Sequence, residues 1–138
     1  MATTTYTPID FKTPRVATLM GNCYWKVIAL TNVDKGAWIF VKDVNALLYG
    51  DVKVPSGLAG TVSPAIILEI GANATSGVTT LNVSTKARAD GESVNVTLTA
   101  DTAQNITVPA TARDSKYVTF TVGDLANLVA ADVLEVEV

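Results

Sequence analysis

Apolar residues recur at every second position along most of the second half of the chain. The pattern is clearest over residues 66–70, 94–98, 118–122 and 134–138, where Val, Ile, Leu and Phe hold the repeating positions. Successive side chains of a strand point to opposite faces, so each stretch predicts a half-buried antiparallel strand. In the last stretch, Glu135 and Glu137 are therefore predicted on the solvated face.

Turn residues separate these stretches. Residues 74–77 (Ala-Thr-Ser-Gly), the pair Asp90-Gly91 and residues 109–111 (Pro-Ala-Thr) lie between apolar segments. Short strands at roughly 8–12-residue spacing are typical of sandwiches and jelly rolls. We predict an all-β fold, an antiparallel β-sandwich of about eight strands with jelly-roll-like topology, over residues 23–138.

The first part of this domain is apolar on both faces of its strands. Runs over residues 23–30 and 37–41 flank residues 32–36, which suit a hairpin loop. A strand with two apolar faces is expected to be buried on both sides, under an overlying loop or a partner. Core packing is the interpretation favoured for Trp25 and Trp38.

Residues 1–22 differ from the rest because Thr and Pro disfavour helix there. The segment is nevertheless too apolar for a simple disordered tail. Two interpretations stay open: a first edge strand with a frayed terminus, or an N-terminal arm that docks on another subunit. The candidate partner-interface residues of such an arm are Tyr6, Ile9, Phe11, Val16 and Leu19.

Charge and hydropathy exclude several classes of partner. The net charge is −3 and the ten basic residues are scattered, which argues against binding to nucleic acid. Lys86 and Arg88 share a face, but a solvated strand end is the favoured interpretation. No apolar run approaches the ~20 residues that span a bilayer, and the N-terminus does not resemble a signal peptide. We expect no membrane partner and synthesis in a cytoplasm.

The residue types needed for most enzyme chemistry are scarce. The chain contains no histidine, which removes the usual general base and zinc ligand. The single cysteine, Cys23, is expected to pack as a small apolar residue. Asp90-Gly91 is read as a tight turn rather than a metal site. Glu69 lies inside an apolar run and is expected to pair with Lys or Arg on a neighbouring strand. We predict no enzyme activity, no cofactor and no metal site.

Six segments of the chain resemble bacteriophage virion proteins with a β-sandwich or jelly-roll domain. They are residues 37–40, 54–57, 72–77, 89–93, 108–112 and 132–136, which read as turns and strand starts. The resemblance implies a capsid decoration (cement) protein on the surface of the virion. Its implied partners are the major capsid protein and further copies of itself, with a homotrimer expected. The apolar arm would then clamp a neighbouring subunit.

Two other functions are consistent with the sequence. The first is a receptor- or carbohydrate-binding module of a phage tail or fibre, which would use Tyr49, Tyr117 and the turns near Ser76 and Asp90. Tyr49 and Tyr117 are both expected to be exposed. The second is a small hydrolase, which would require two close carboxylates and is disfavoured by the lack of histidine.

Overall fold

A computed structural model describes residues 7–14, 22–42, 44–55, 65–121 and 132–138. These residues form eleven strands, and every strand pairing among them is antiparallel. The strands are β1 (Asp10–Pro14), β2 (Cys23–Ala29), β3 (Asp34–Phe40), β4 (Leu48–Lys53), β5 (Ile66–Gly71), β6 (Val78–Leu81), β7 (Ser84–Arg88), β8 (Thr99–Ala100), β9 (Gln104–Thr107), β10 (Ser115–Phe120) and β11 (Val133–Glu137). No helix in these ranges is long and apolar enough to cross a bilayer. The predicted all-β class is confirmed.

The largest sheet has five strands in the order β1-β4-β11-β7-β8. The last strand of the chain is therefore its middle strand, paired on one side with β4 and on the other with β7. The remaining strands form three antiparallel pairs, β2–β3, β5–β10 and β6–β9. The pair β2–β3 is the predicted hairpin, but its loop is residues 30–33. Residues 34–36, which were predicted in the loop, belong to β3.

The hydrophobic core lies between one face of the five-stranded sheet and the pairs β5–β10 and β6–β9. Its buried members are Val54, Ile66, Val83, Ile106, Val118, Phe120, Leu134 and Val136. Phe120, Val83 and Val136 are fully buried. The alternation predicted around residues 66–70, 118–120 and 134–136 correctly places the core members of these strands, because every second residue of a strand faces the same way.

Strand β1 is one of the two edge strands of the five-stranded sheet. It pairs with β4 through a register shift between Phe11 and Thr13. A Cβ atom on Gly50 would lie 2.7 Å from the Asp10 carbonyl oxygen and 2.9 Å from Phe11 Cα. Glycine at this position of β4 therefore allows the close approach of β1.

Residues 94–98 do not form the predicted strand, and Val94 is 77% exposed. The turn after β7 uses a left-handed Gly91 (φ +84°), and the backbone N–H of Asn95 donates to Ser93 Oγ at 3.1 Å. Such local side-chain bonds compete with a strand ladder. Ladder pairing resumes only at β8. The strand end expected at Lys86 and Arg88 is present as the end of β7.

Candidate partner-binding surface

The β2–β3 hairpin carries an apolar and aromatic face. Its register places Trp25 opposite Trp38, and Cys23 opposite Phe40. Directly paired residues and those two positions away share one side of a ladder. Trp25, Val27, Trp38 and Phe40 therefore lie on the same side, which we call the hairpin face. Cys23 shares this side but is fully buried, as predicted from its neighbours.

The indole of Trp25 is held in place by its neighbours on the hairpin. Its ring centroid lies 5.7 Å from that of Trp38, with 71° between the ring planes. This edge-to-face arrangement is the favourable one for aromatic rings. A Cβ atom on Gly36 would come within 2.8 Å of Trp25 Cη2. The missing side chain of Gly36 thus gives the indole room to lie across β3.

Exposure of large apolar side chains is concentrated on this hairpin. Of the eleven large hydrophobic side chains exposed among the described residues, seven lie between positions 24 and 44. They are Tyr24, Trp25, Val27, Val33, Phe40, Val41 and Val44. Trp25 is 57% exposed and Val27 58% exposed. Trp25, Val27 and Phe40 lie together on the hairpin face, whereas Tyr24 lies on the opposite side of the same ladder. Exposed apolar side chains that lie together mark interaction sites, whereas scattered ones do not.

The prediction that this strand pair is buried on both sides is wrong within the described part of the chain, as is core packing for Trp25. Trp38 is half-buried. The hairpin is a separate two-stranded sheet, and the elements described around it leave the outer side of the indole of Trp25 open to solvent. The second apolar face that the sequence indicated is therefore exposed in the part of the chain that the structure describes.

A groove of about 450 Å³ lies between the hairpin and β1, lined by Ile9, Asp10, Phe11, Trp25 and Trp38. Two of the five predicted interface residues, Ile9 and Phe11, are therefore brought together with the tryptophans. Both are half-buried, and both also pack against the core of their own chain. The other three, Tyr6, Val16 and Leu19, lie outside the described residues.

An ion pair ties the hairpin to β5. Lys35 Nζ of β3 donates to Glu69 Oε1 at 2.9 Å. The expected basic partner of Glu69 is thus present, but it lies on a strand of another sheet and not on β10, the strand paired with β5. This hydrogen bond from Lys35 lowers the pKa of Glu69 below its ordinary value. Both side chains are substantially exposed, at 56% and 36%, so water screens the pair. This contact between the hairpin and β5 is therefore a weak one.

A second group of interacting polar side chains, Tyr49, Arg88 and Glu135, lies at the middle of the five-stranded sheet. Arg88 Nε and Nη2 each lie 3.0 Å from Glu135 Oε1, and the Tyr49 hydroxyl donates to Glu135 Oε2. The prediction that Glu135 and Glu137 lie on the solvated face is wrong, since they are only 3% and 8% exposed. The interpretation of Arg88 as part of a solvated strand end is also wrong, because its side chain is only 19% exposed.

This group of side chains is suited to a structural role. The two carboxylate oxygens of Glu135 accept bonds from different partners, Arg88 and Tyr49, so its charge is neutralised inside the fold. Burial, followed by the bond to the Glu135 carboxylate, raises the pKa of Tyr49 well above its ordinary value. A tyrosine fixed in this way is not the exposed stacking platform that the sequence predicted.

The residues assigned to a carbohydrate site do not form one platform. Tyr117 on β10 is 68% exposed, as predicted, whereas Tyr49 belongs to a different sheet and points its hydroxyl into the protein. Ser76 and Asp90 are exposed in turns. The hairpin face and its groove are the surface with the strongest features for recognition. Burial of both faces of the strand pair and core packing of Trp25 were predicted incorrectly there.

Comparisons of this chain with protein-family models, with curated proteins and with solved structures found no match.

Proposed function

We propose that this chain is a structural protein of a bacteriophage virion, a capsid decoration (cement) protein built on a β-sandwich. It stabilises the head by binding subunits of the major capsid protein through the hairpin face. The observation that carries this proposal is the concentration of exposed apolar side chains on β2–β3 and the residues that follow. A folded protein keeps such a surface when a partner covers it.

The composition of the hairpin face suits a lasting protein contact. Aromatic side chains bury large areas at low entropic cost, and tryptophan is enriched among residues that dominate binding energy. Trp25 is oriented by Trp38 before any partner arrives, so little ordering is needed on binding. Repetition of the contact over a shell would make even modest individual contacts effective.

Self-association belongs to the same proposal. Among the described residues, β2 and β3 each pair with one neighbour only, so the outer edges of this small sheet are open to further pairing. An open strand edge is a template for another chain. We propose a closed homo-oligomer, a trimer, in which neighbouring copies share this region. Sedimentation equilibrium of the full chain gives its mass, and a monomer at every concentration would contradict this part.

Capsid binding by two matched variants tests the proposal. Trp25→Ser removes an exposed aromatic side chain from the hairpin face, and Tyr117→Ser removes a somewhat more exposed one from β10. We expect Trp25→Ser to weaken co-sedimentation with capsids of the encoding phage by about tenfold or more, as for a central interface residue. Tyr117→Ser should bind like the unmodified chain. Equal binding by all three proteins would refute the assignment of the surface.

The competing proposal is a receptor- or carbohydrate-binding module of a phage tail or fibre. The exposed ring of Tyr117 favours it, while the inward hydroxyl of Tyr49 removes half of the expected aromatic pair. Binding of Tyr117→Ser to a glycan array distinguishes the two proposals. Glycan binding by the unmodified chain that is lost in this variant would favour the tail or fibre module.

A further inference from the structure

The hydrogen-bond pattern of the hairpin shows which backbone groups of β2 point outward. Leu30 N–H donates to Val33 O and Val41 N–H donates to Asn22 O, both at 2.9 Å, and both pairs follow the register of β2 with β3. Hydrogen-bonded and non-hydrogen-bonded pairs alternate along an antiparallel ladder. The odd-numbered residues of β2 are therefore the non-hydrogen-bonded ones, and their N–H and C=O groups point away from β3.

Trp25 and Val27 combine these outward backbone groups with exposed side chains of the hairpin face. Within the described residues, neither backbone has a hydrogen-bond partner on its outer side. Residues 24–27 of β2 are all exposed, whereas residues 37–39 of β3 are half-buried. The outer edge of β2 is therefore the more accessible edge of the hairpin.

The edges of the five-stranded sheet are less suited to pairing with another chain. Strand β1 has a register shift between Phe11 and Thr13 and ends at Pro14, which has no N–H, and β8 at the opposite edge is two residues long. Bulges, proline and short strands keep an edge from adding a further strand. In contrast, β2 has seven residues in an uninterrupted register.

We propose that the major capsid protein adds an extended segment to the outer edge of β2, paired with the backbone of Trp25 and Val27 and carrying an acidic side chain opposite Lys26. In strand addition, main-chain hydrogen bonds supply affinity and alternate side chains supply specificity. On the side of the hairpin face, the segment presents apolar side chains to Trp25 and Val27. The inference deepens the proposed function, since it rests on this region being the capsid interface.

Lys26 determines the charge that the segment carries. Its side chain is exposed, lies on the side of the ladder opposite the hairpin face, and has no ion pair in the described part of the chain. Opposite charges directly across a ladder are stabilising, and like charges are destabilising. A full-length antiparallel pairing of two β2 strands would place Lys26 opposite Lys26. An acidic strand is therefore preferred over a second copy of β2.

Proline at an outward-facing position tests the backbone pairing, because it removes the N–H offered to the partner and leaves the β2–β3 ladder intact. Val27→Pro makes this change, and Val27→Ala, which keeps the N–H, is the control. We expect Val27→Pro to bind capsids of the encoding phage about tenfold more weakly than Val27→Ala in co-sedimentation. Urea unfolding midpoints of the two variants establish that both are folded.

Charge reversal tests the acidic partner. Lys26→Glu should weaken capsid binding about fivefold, because it places a negative charge opposite the acidic side chain. Lys116→Glu reverses the charge of another exposed lysine, on β10, and should bind like the unmodified chain. Equal binding by the two charge-reversed variants would remove the acidic partner.

Hydrogen exchange of the unmodified chain gives a readout that does not depend on any variant folding. In the free chain, the amides of Lys26 and Ile28 should be protected by β3, and those of Trp25 and Val27 should exchange fast. On capsids, the Trp25 and Val27 amides should become protected as well. Unchanged exchange of β2 on capsids would overturn the inference.

The capsid experiments separate this inference from the proposed function. Weak binding of Trp25→Ser, together with equal binding of Val27→Pro and Val27→Ala, would leave the hairpin face as the interface and remove the added strand. Weak binding of Val27→Pro without any effect of Trp25→Ser would do the reverse. Loss of self-association in Val27→Pro at unchanged capsid binding, measured by sedimentation equilibrium, would assign the edge to a second copy and overturn the inference.

Discussion

Replacement of Arg88 by methionine tests the buried ion pair at the centre of the five-stranded sheet. The change keeps much of the side-chain volume and removes both guanidinium nitrogens that lie 3.0 Å from Glu135 Oε1. The Glu135 side chain is 5% exposed, so its carboxylate would be left without a cation and with little access to water. Breaking a buried pair from one side typically costs about 3–5 kcal/mol.

We expect the loss to fall near the lower end of this range, about 3 kcal/mol, because Tyr49 still donates to the carboxylate and because Arg88 itself is 19% exposed. The matched comparison is Lys35→Met, which breaks the exposed pair with Glu69. Exposed pairs contribute about 0–1 kcal/mol. The two substitutions remove one cation each and differ in burial.

Equilibrium unfolding in urea measures both effects. With a slope of about 2 kcal/mol per molar urea, Arg88→Met should lower the midpoint by about 1.5 M, and Lys35→Met by less than about 0.5 M. The double variant Arg88→Met/Glu135→Gln removes the unpaired charge and should recover at least half of the lost stability. Similar small shifts for both single variants would refute the argument that burial makes the Arg88–Glu135 pair the stronger one.

Three further predictions concern β1 and two ionisable groups with shifted pKa values, Tyr49 and Glu69. Gly50→Ala places a methyl group against the backbone of β1, so we expect a loss of about 2–3 kcal/mol in urea unfolding and faster proteolysis near Phe11. Because the pKa of Tyr49 is raised, its contribution to the free energy of unfolding is present below about pH 10 and is lost progressively as the pH rises above that value. In Tyr49→Phe, stability should therefore fall less steeply at alkaline pH. Because the pKa of Glu69 is lowered, its contribution to the free energy of unfolding is present above about pH 4.5 and is lost on acidification. In Glu69→Gln, stability should therefore fall less steeply at acid pH. An unchanged urea unfolding midpoint for Gly50→Ala, or an unchanged pH dependence of stability for Tyr49→Phe or Glu69→Gln, would contradict the assigned contacts.

The all-β class and much of the core could be predicted from local patterns. The alternation over residues 66–70 and 118–120 determines which side chains enter the core, because strand periodicity depends only on neighbouring residues. The same reasoning correctly predicted the β2–β3 hairpin. It failed over residues 94–98, where the Asn95 amide bonds to Ser93 Oγ and the ladder does not form.

The polar sites could not be predicted in the same way. The alternation of residues 134–138 correctly shows that Glu135 points away from the core, but not what covers it. Its partners Tyr49 and Arg88 lie 86 and 47 residues away in sequence and meet it only because β11 is the middle strand. The exposure of Trp25 has a similar origin. A strand that is buried on both faces and a strand with one exposed apolar face can have the same composition, and only the position of the strand in the fold distinguishes them.

The central claim is that the hairpin face binds the major capsid protein on the surface of a phage head. A cryo-electron microscopy reconstruction of the virion of the encoding phage tests it most directly. The account predicts density for this fold on the outside of the head, with Trp25 and Phe40 within contact distance of the shell or of a neighbouring copy. Density for the fold on the tail, or a hairpin face that points into solvent on the head, would contradict it.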